Sequence, residues 1–181
     1  MNGNASLLND PCTSQVEAIW QELEEKCGLI GVRVTPLPHF TYQVVEAYDQ
    51  PRLVQILQEI ASQAKPFTAQ TTGLGLFTGE TPVIYLPLVK NDLLLHFHKV
   101  IWDRTKESAH GVSPYYSPDL WIPHITLGYG DVTNFNLGCA METLAFRELN
   151  WEITVDNLTF IGQFEQNLNV NGNCCTFRFG E

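Results

Sequence analysis

The chain has 181 residues, of which 44% are hydrophobic and 17% charged, and its formal net charge is −10. That length and apolar content suit one substantial domain or two small lobes around a real core, and they exclude a disordered chain. The acidic balance argues against a long polyanion held along a basic groove, but leaves room for a short anionic ligand in a locally neutral or positive pocket.

Residues 1–10, rich in Asn and Gly, read as a flexible N-terminal tail. Asp10-Pro11 suits a helix start. Val16, Ile19, Trp20 and Leu23 then recur at helical spacing, and Cys27-Gly28 suits the end. An extended stretch follows to about Val45. Asp49-Gln50-Pro51 opens a second helix with Leu53, Val54, Leu57, Ile60 and Ala61 on its apolar face. Phe67 to Phe77 and Pro82 to Val89 read as two strands. Asn91 caps a third helix running to about Thr105. Residues 107–120 form a long loop, and a further strand begins near Pro123. Leu137 to Leu149 reads as a helix and Trp151 to Phe164 as one or two strands. Asn171-Gly172-Asn173 reads as a hairpin turn into a strand over Cys174–Phe179. Helices interleaved with short, turn-connected strands indicate an α+β fold with antiparallel pairing.

There are five cysteines, Cys12, Cys27, Cys139, Cys174 and Cys175, with no CxxC spacing. An odd number without a framework pattern reads as reduced thiols. The N-terminus lacks a basic segment followed by an apolar one, and no apolar run reaches the length of a membrane span. A soluble, cytoplasmic protein is expected.

Two short segments carry one signature. Pro38-His39-Phe40-Thr41-Tyr42 and Pro123-His124-Ile125-Thr126-Leu127 both read Pro-His-apolar-Thr-apolar, 85 positions apart. Successive side chains of a strand point to opposite faces, so each His shares a face with its Thr. A single such motif is ordinarily structural, its His and Thr bonding to neighbours. A matched pair suggests a site assembled from two halves. Two imidazoles facing one phosphodiester can serve as general base and general acid, because their ordinary pKa lies near 6.5. Two hydroxyls beside them can meet charge on the non-bridging oxygens. No acidic cluster of metal-ligand type accompanies either motif.

These twin motifs resemble the hallmark of the 2H phosphoesterase superfamily, and in particular its 2′-5′ RNA ligase and RNA 2′,3′-cyclic phosphodiesterase group. The resemblance runs from about residue 12 through nearly the whole chain. It implies a single bilobal domain over residues 11–181, with two antiparallel sheets facing a central cleft and helices outside. It places His39 and Thr41 in one half-site and His124 and Thr126 in the other, with no cofactor and no metal. The implied reaction opens a 2′,3′-cyclic phosphate to a 2′-phosphate. His124 activates water, His39 protonates the departing ribose oxygen, and 2′-5′ ligation is an associated activity. The implied partner is a nucleotide or short RNA ending in a cyclic phosphate, met by a monomer with no membrane and no long nucleic acid. Two features depart from the family pattern: a helix comes first, and Leu127 is followed by Gly128-Tyr129-Gly130-Asp131 with no basic residue. The second favours a nucleotide or other small cyclic phosphate. The rivals are a non-catalytic nucleotide- or phosphate-binding module and a 2′-5′ oligonucleotide phosphodiesterase.

Other candidates read more blandly. His96 and His98, two apart in a helix, do not share a face, and with His110 they match no zinc spacing. Gly73-Leu74-Gly75 lacks the context of a dinucleotide site and marks a bulge or close backbone approach. Tyr115 and Tyr116 sit where a lid or stacking wall can form, and Phe77, ending a strand, can line the cleft or equally belong to the core. Tyr42 and Tyr129 are assigned to the core. Arg33, Arg147 and Arg178 are candidates for phosphate contact, with surface ion pairing the default.

Overall fold

The computed structural model describes residues 2–163 and 174–181. In chain order it contains β1 (Asn2–Leu7), α1 (Cys12–Cys27), a 3₁₀ turn (Gly31–Val34), β2 (His39–Val45), β3 (Ala47–Tyr48) and α2 (Gln50–Gln63). Then come β4 (Phe67–Gln70), β5 (Gly75–Phe77), β6 (Val83–Pro87), α3 (Asp92–Thr105), β7 (Ala109–His110) and a second 3₁₀ turn (Pro114–Tyr116). The chain closes with β8 (His124–Gly128), α4 (Leu137–Leu144), β9 (Glu152–Val155), β10 (Asn157–Ile161) and β11 (Cys174–Arg178). The hairpin expected at Asn171-Gly172-Asn173 lies outside the described residues.

The helix ends follow their local chemistry. Gly28 adopts the left-handed region at φ 71°. Its N–H donates to the Glu24 carbonyl while the Leu29 N–H reaches back to Leu23, the pattern by which glycine closes a helix. The Asp49 carboxylate accepts from the Arg52 N–H, and the Asn91 side chain from Leu94, so both act as N-caps. On α1, Val16, Ile19, Trp20 and Leu23 are all buried, as are Leu53, Leu57, Ile60 and Ala61 on α2. α4 stops at Leu144, short of the expected Leu149, where the Arg147 N–H tightens back onto the Leu144 carbonyl.

Seven strands form one antiparallel sheet in the order β11-β10-β1-β2-β8-β6-β5, with small sheets β3-β7 and β4-β9 beside it. The fold is therefore α+β as expected. Its two halves are joined into a continuous sheet by one registered pair between β2 and β8, Phe40 with Ile125. The strand expected over Phe67–Phe77 divides in two, because β4 pairs with β9 and β5 with β6. Gly73 turns the chain between them with φ 61°. Gly75 is the close approach expected of it: a Cβ there would lie 2.4 Å from the Tyr85 ring.

Two expectations are corrected. Residues 2–7 are no tail: β1 lies inside the sheet between β10 and β2, so a strand, not a helix, comes first. Its sequence hides this because, Ala5 apart, its buried side chains are polar. Asn4 Nδ2 donates to the Tyr48 hydroxyl, and the Ser6 hydroxyl meets the Tyr42 hydroxyl and the Asn157 carbonyl. A polar strand is stable inside a fold when most of its groups find partners in this way; among the described residues Asn4 Oδ1 is buried without one.

The second correction concerns the thiols. Cys27, the last residue of α1, forms a disulfide with Cys139 on α4, 112 positions away, while Cys12, Cys174 and Cys175 are free. The helices pack against each other at that end, which no spacing in the sequence reveals. Thiol titration of the denatured, unreduced protein should find three free cysteines, and all five after reduction. Reduction should lower stability by about 2–4 kcal/mol. A titre of five without reductant would show the bridge absent.

Candidate active site

The Phe40–Ile125 pair is the central residue of both His-x-Thr motifs. An antiparallel register centred there directs His39 toward Thr126 and Thr41 toward His124, all four on the face opposite Phe40 and Ile125. Phe40 and Ile125 are buried in the core. His39, Thr41, His124 and Thr126 line one cleft of about 980 Å³. The sequence motif and the local twofold of the sheet thus coincide.

Each motif strand carries an irregularity at the same place. In β2, Thr41 pairs with Ala5 and Gln43 with Asn4, leaving Tyr42 unmatched. In β8, Thr126 pairs with Tyr85 and Gly128 with Ile84, leaving Leu127 unmatched. The bulged residue is in both cases the one following the Thr. A bulge disrupts the ladder and re-aims neighbouring side chains. In both halves a tryptophan takes up the threonine carbonyl beside it. Trp121 Nε1 donates to the Thr41 carbonyl at 2.9 Å, and Trp20 Nε1 to the Thr126 carbonyl at 3.0 Å. Both indoles also wall the cleft.

The imidazoles are held alike. His39 Nδ1 lies 2.5 Å from the Leu37 carbonyl and His124 Nδ1 2.7 Å from the Ile122 carbonyl. A carbonyl can only accept, so Nδ1 carries the proton and Nε2 is left to meet a ligand. Among the described residues neither the Thr41 nor the Thr126 hydroxyl bonds to another protein group, so both are available as donors. Burial pushes the His39 pKa below its ordinary 6.5, against the opposing pull of its bond to Leu37. Burial also lowers His124, opposed by Ile122 and reinforced by the nearby His39. The His124 ring lies edge-on to Phe77, with ring centroids 4.9 Å apart, and Phe77 in turn stacks on Tyr85.

Outside the cleft, His98 is structural, as its spacing implied. Its Nε2–H faces the Tyr42 and Tyr116 carbonyls, and its ring stacks on Trp121 at 3.9 Å. Burial lowers its pKa to about 4. The folded state therefore binds fewer protons than the unfolded chain between about pH 6.5 and 4, and unfolding becomes easier as pH falls through that window. The loss amounts to about 3 kcal/mol at most. Urea unfolding from neutral pH to about pH 4 should show it, and His98→Gln should flatten the slope. An unchanged slope would assign the acid sensitivity elsewhere.

Tyr115, Tyr116 and Phe77 line the cleft as the sequence suggested. Tyr42 is fully buried. Tyr129, assigned to the core, instead stands 45% exposed on the cleft wall; it follows the bulge at Leu127, where strand parity no longer holds. Arg33, Arg147 and Arg178 are not among the lining residues. They pair with Glu24, Glu22 and Asp156. Trp20 and Trp121 escaped sequence reasoning. On α1, Trp20 has the spacing of a core residue, and nothing in its neighbours marks the bond to Thr126.

A family model described as the 2′-5′ RNA ligase superfamily matches residues 11–165. The chain belongs to that superfamily. Membership supports phosphoesterase activity in general. A protein from Geobacillus sp. (strain WCH70), named "Putative phosphoesterase", is 29% identical over 132 residues, 71% of each chain. Among solved structures, TT0787 of Thermus thermophilus is similar with a TM-score of 0.61 at 15% identity, covering 97% of this chain and 92% of its own. Usb1 of Kluyveromyces marxianus is similar with a TM-score of 0.50 at 9% identity, covering 98% and 97%. At these identities the two structures speak for the fold alone.

Proposed function

We propose that this protein is a phosphodiesterase that opens 2′,3′-cyclic phosphates of nucleotides or short RNA ends to 2′-phosphates, with His39 and His124 as acid and base. The observation that carries this reading is the matched anchoring of both Nδ1 atoms, which leaves two Nε2 atoms on one cleft. His124 Nε2 accepts a proton from water as its oxygen attacks phosphorus. The P–O3′ bond breaks, and O3′ takes the proton from His39 Nε2. The hydroxyls of Thr41 and Thr126 donate to the non-bridging oxygens as charge builds there. 2′-5′ ligation is the same chemistry with a 5′-hydroxyl in place of water, and its reversal exchanges acid and base. A monomer in the cytoplasm is part of the proposal. The Cys27–Cys139 bridge pulls the other way, because reducing compartments keep thiols reduced. Among the described residues no helix is long and apolar enough to cross a membrane.

The test is incubation with each nucleoside 2′,3′-cyclic monophosphate, in EDTA, followed by phosphorus NMR. A 2′-phosphate from the wild type alone, absent with His39→Ala/His124→Ala, is the expected result. Binding without turnover would replace the enzyme by a binding module. The pH dependence has a definite sign. Catalysis needs one imidazole neutral and the other protonated, and both pKa values are lowered. The kcat/KM profile should be bell-shaped with its maximum on the acid side of about pH 6.5. A flat profile, or a maximum well above neutrality, would remove paired-histidine catalysis.

A further inference from the structure

A phosphodiester needs its charge met, yet among the described residues no Lys, Arg, Asp or Glu lines the cleft. All five arginines of the chain are held in ion pairs: Arg33, Arg52, Arg104, Arg147 and Arg178 with Glu24, Glu107, Glu59, Glu22 and Asp156. The walls are aromatic instead: Trp20, Phe77, Tyr115, Tyr116, Trp121 and Tyr129. A charge that does stand behind the wall is negative. Asp131 accepts from the N–H groups of Ile30 and Gly31 through Oδ2, both at 2.7 Å, next to Val32 and Tyr129 of the lining. Its Oδ1 is buried without a partner. The chain as a whole carries −10.

On the reading proposed above, we infer that the cleft selects a singly charged cyclic phosphodiester and disfavours any substrate carrying a further phosphate nearby. One imidazolium and two hydroxyls, with the second imidazole neutral, suffice for one delocalised negative charge. A second phosphate would leave water for aromatic walls with no second cation to receive it, in the field of an acidic protein. The preferred substrate is a nucleoside 2′,3′-cyclic phosphate with a free 5′-hydroxyl, its base and sugar against the aromatic walls. The same property acts on the product. Hydrolysis adds water across the P–O3′ bond, turning a diester monoanion into a monoester. The monoester loses a second proton near pH 6. The resulting dianion is a poorer ligand than the substrate, so product inhibition is slight at neutral pH.

The test compares adenosine 2′,3′-cyclic phosphate with the same compound bearing a 5′-phosphate, at low and high salt. At low salt the 5′-phosphate should lower kcat/KM at least about tenfold, and salt should narrow the gap by screening. Equal or better use of the 5′-phosphorylated compound would overturn the inference by revealing a cationic contact. Calorimetric binding of both compounds to the His124→Ala variant, which keeps the His39 imidazole and both hydroxyls, separates this from the reaction itself. A preserved preference in binding supports charge selection even if wild type turns over neither compound, an outcome that would sink only the proposed reaction. Equal binding, or none, overturns the inference. Thr35→Lys, which puts a cation on the cleft wall, should raise affinity for the 5′-phosphorylated form and not for the other.

Discussion

Replacing either His39 or His124 with alanine is expected to lower kcat by about 10²–10⁴-fold, the usual range for one general acid or base. Neither ring is a core element: both are half-buried on the cleft and, among the described residues, bond to protein only through Nδ1, to the Leu37 and Ile122 carbonyls. The variants should therefore keep the wild-type circular dichroism and melting behaviour, apart from a small change for the lost Phe77 and Tyr85 contacts of His124. On the proposed mechanism the two act as a pair, so the double variant should be little worse than the worse single one. Activity surviving either substitution within about threefold would show that its imidazole takes no part in proton transfer. The pH profile of the surviving activity adds a second readout. Loss of the base should erase the acidic limb of the bell, and loss of the acid the alkaline limb, which would assign the roles of His124 and His39 experimentally.

Much of this site could be read in advance because its chemistry sits in short, local patterns. Pro-His-x-Thr on a strand places two side chains on one face through backbone geometry alone, and the structure keeps that parity up to the Thr in both halves. Helix limits were similarly legible at Asp49, Asn91 and Gly28, where caps act within a few residues. What escaped depends on contacts far apart in sequence. β1 was hidden because the Asn4 amide N–H and the Ser6 hydroxyl find their partners in Tyr48, Tyr42 and Asn157, residues up to 151 positions away. The bridge between Cys27 and Cys139 and the indole bonds of Trp20 and Trp121 are hidden for the same reason. The bulges set the misreading of Tyr129, since an alternation rule cannot see where a strand slips by one residue.

Trp121→Ala should cost about 3–5 kcal/mol of folding stability, the range for deleting a large buried aromatic. Trp121 is fully buried and heads the largest fully buried side chains of the molecule. It stacks on His98, tilts against Tyr42 and donates to the Thr41 carbonyl at 2.9 Å. Alanine would leave a cavity under the junction of the two half-sheets and an orphaned carbonyl in the bulge beside Thr41. Phenylalanine fills most of the space without the N–H, so Trp121→Phe isolates the hydrogen bond, worth about 1–3 kcal/mol when its partner is left unsatisfied. Trp20→Phe does the same in the other half, freeing the Thr126 carbonyl. Against a typical total of about 5–15 kcal/mol, the alanine variant loses a large share, and urea unfolding monitored by far-ultraviolet circular dichroism measures all three. The expected order is Trp121→Ala well below the two phenylalanine variants, which should lie close together below wild type. Phenylalanine variants as stable as wild type would mean that neither indole N–H secures its bulge, and that the twin bonds are incidental to the packing of the rings.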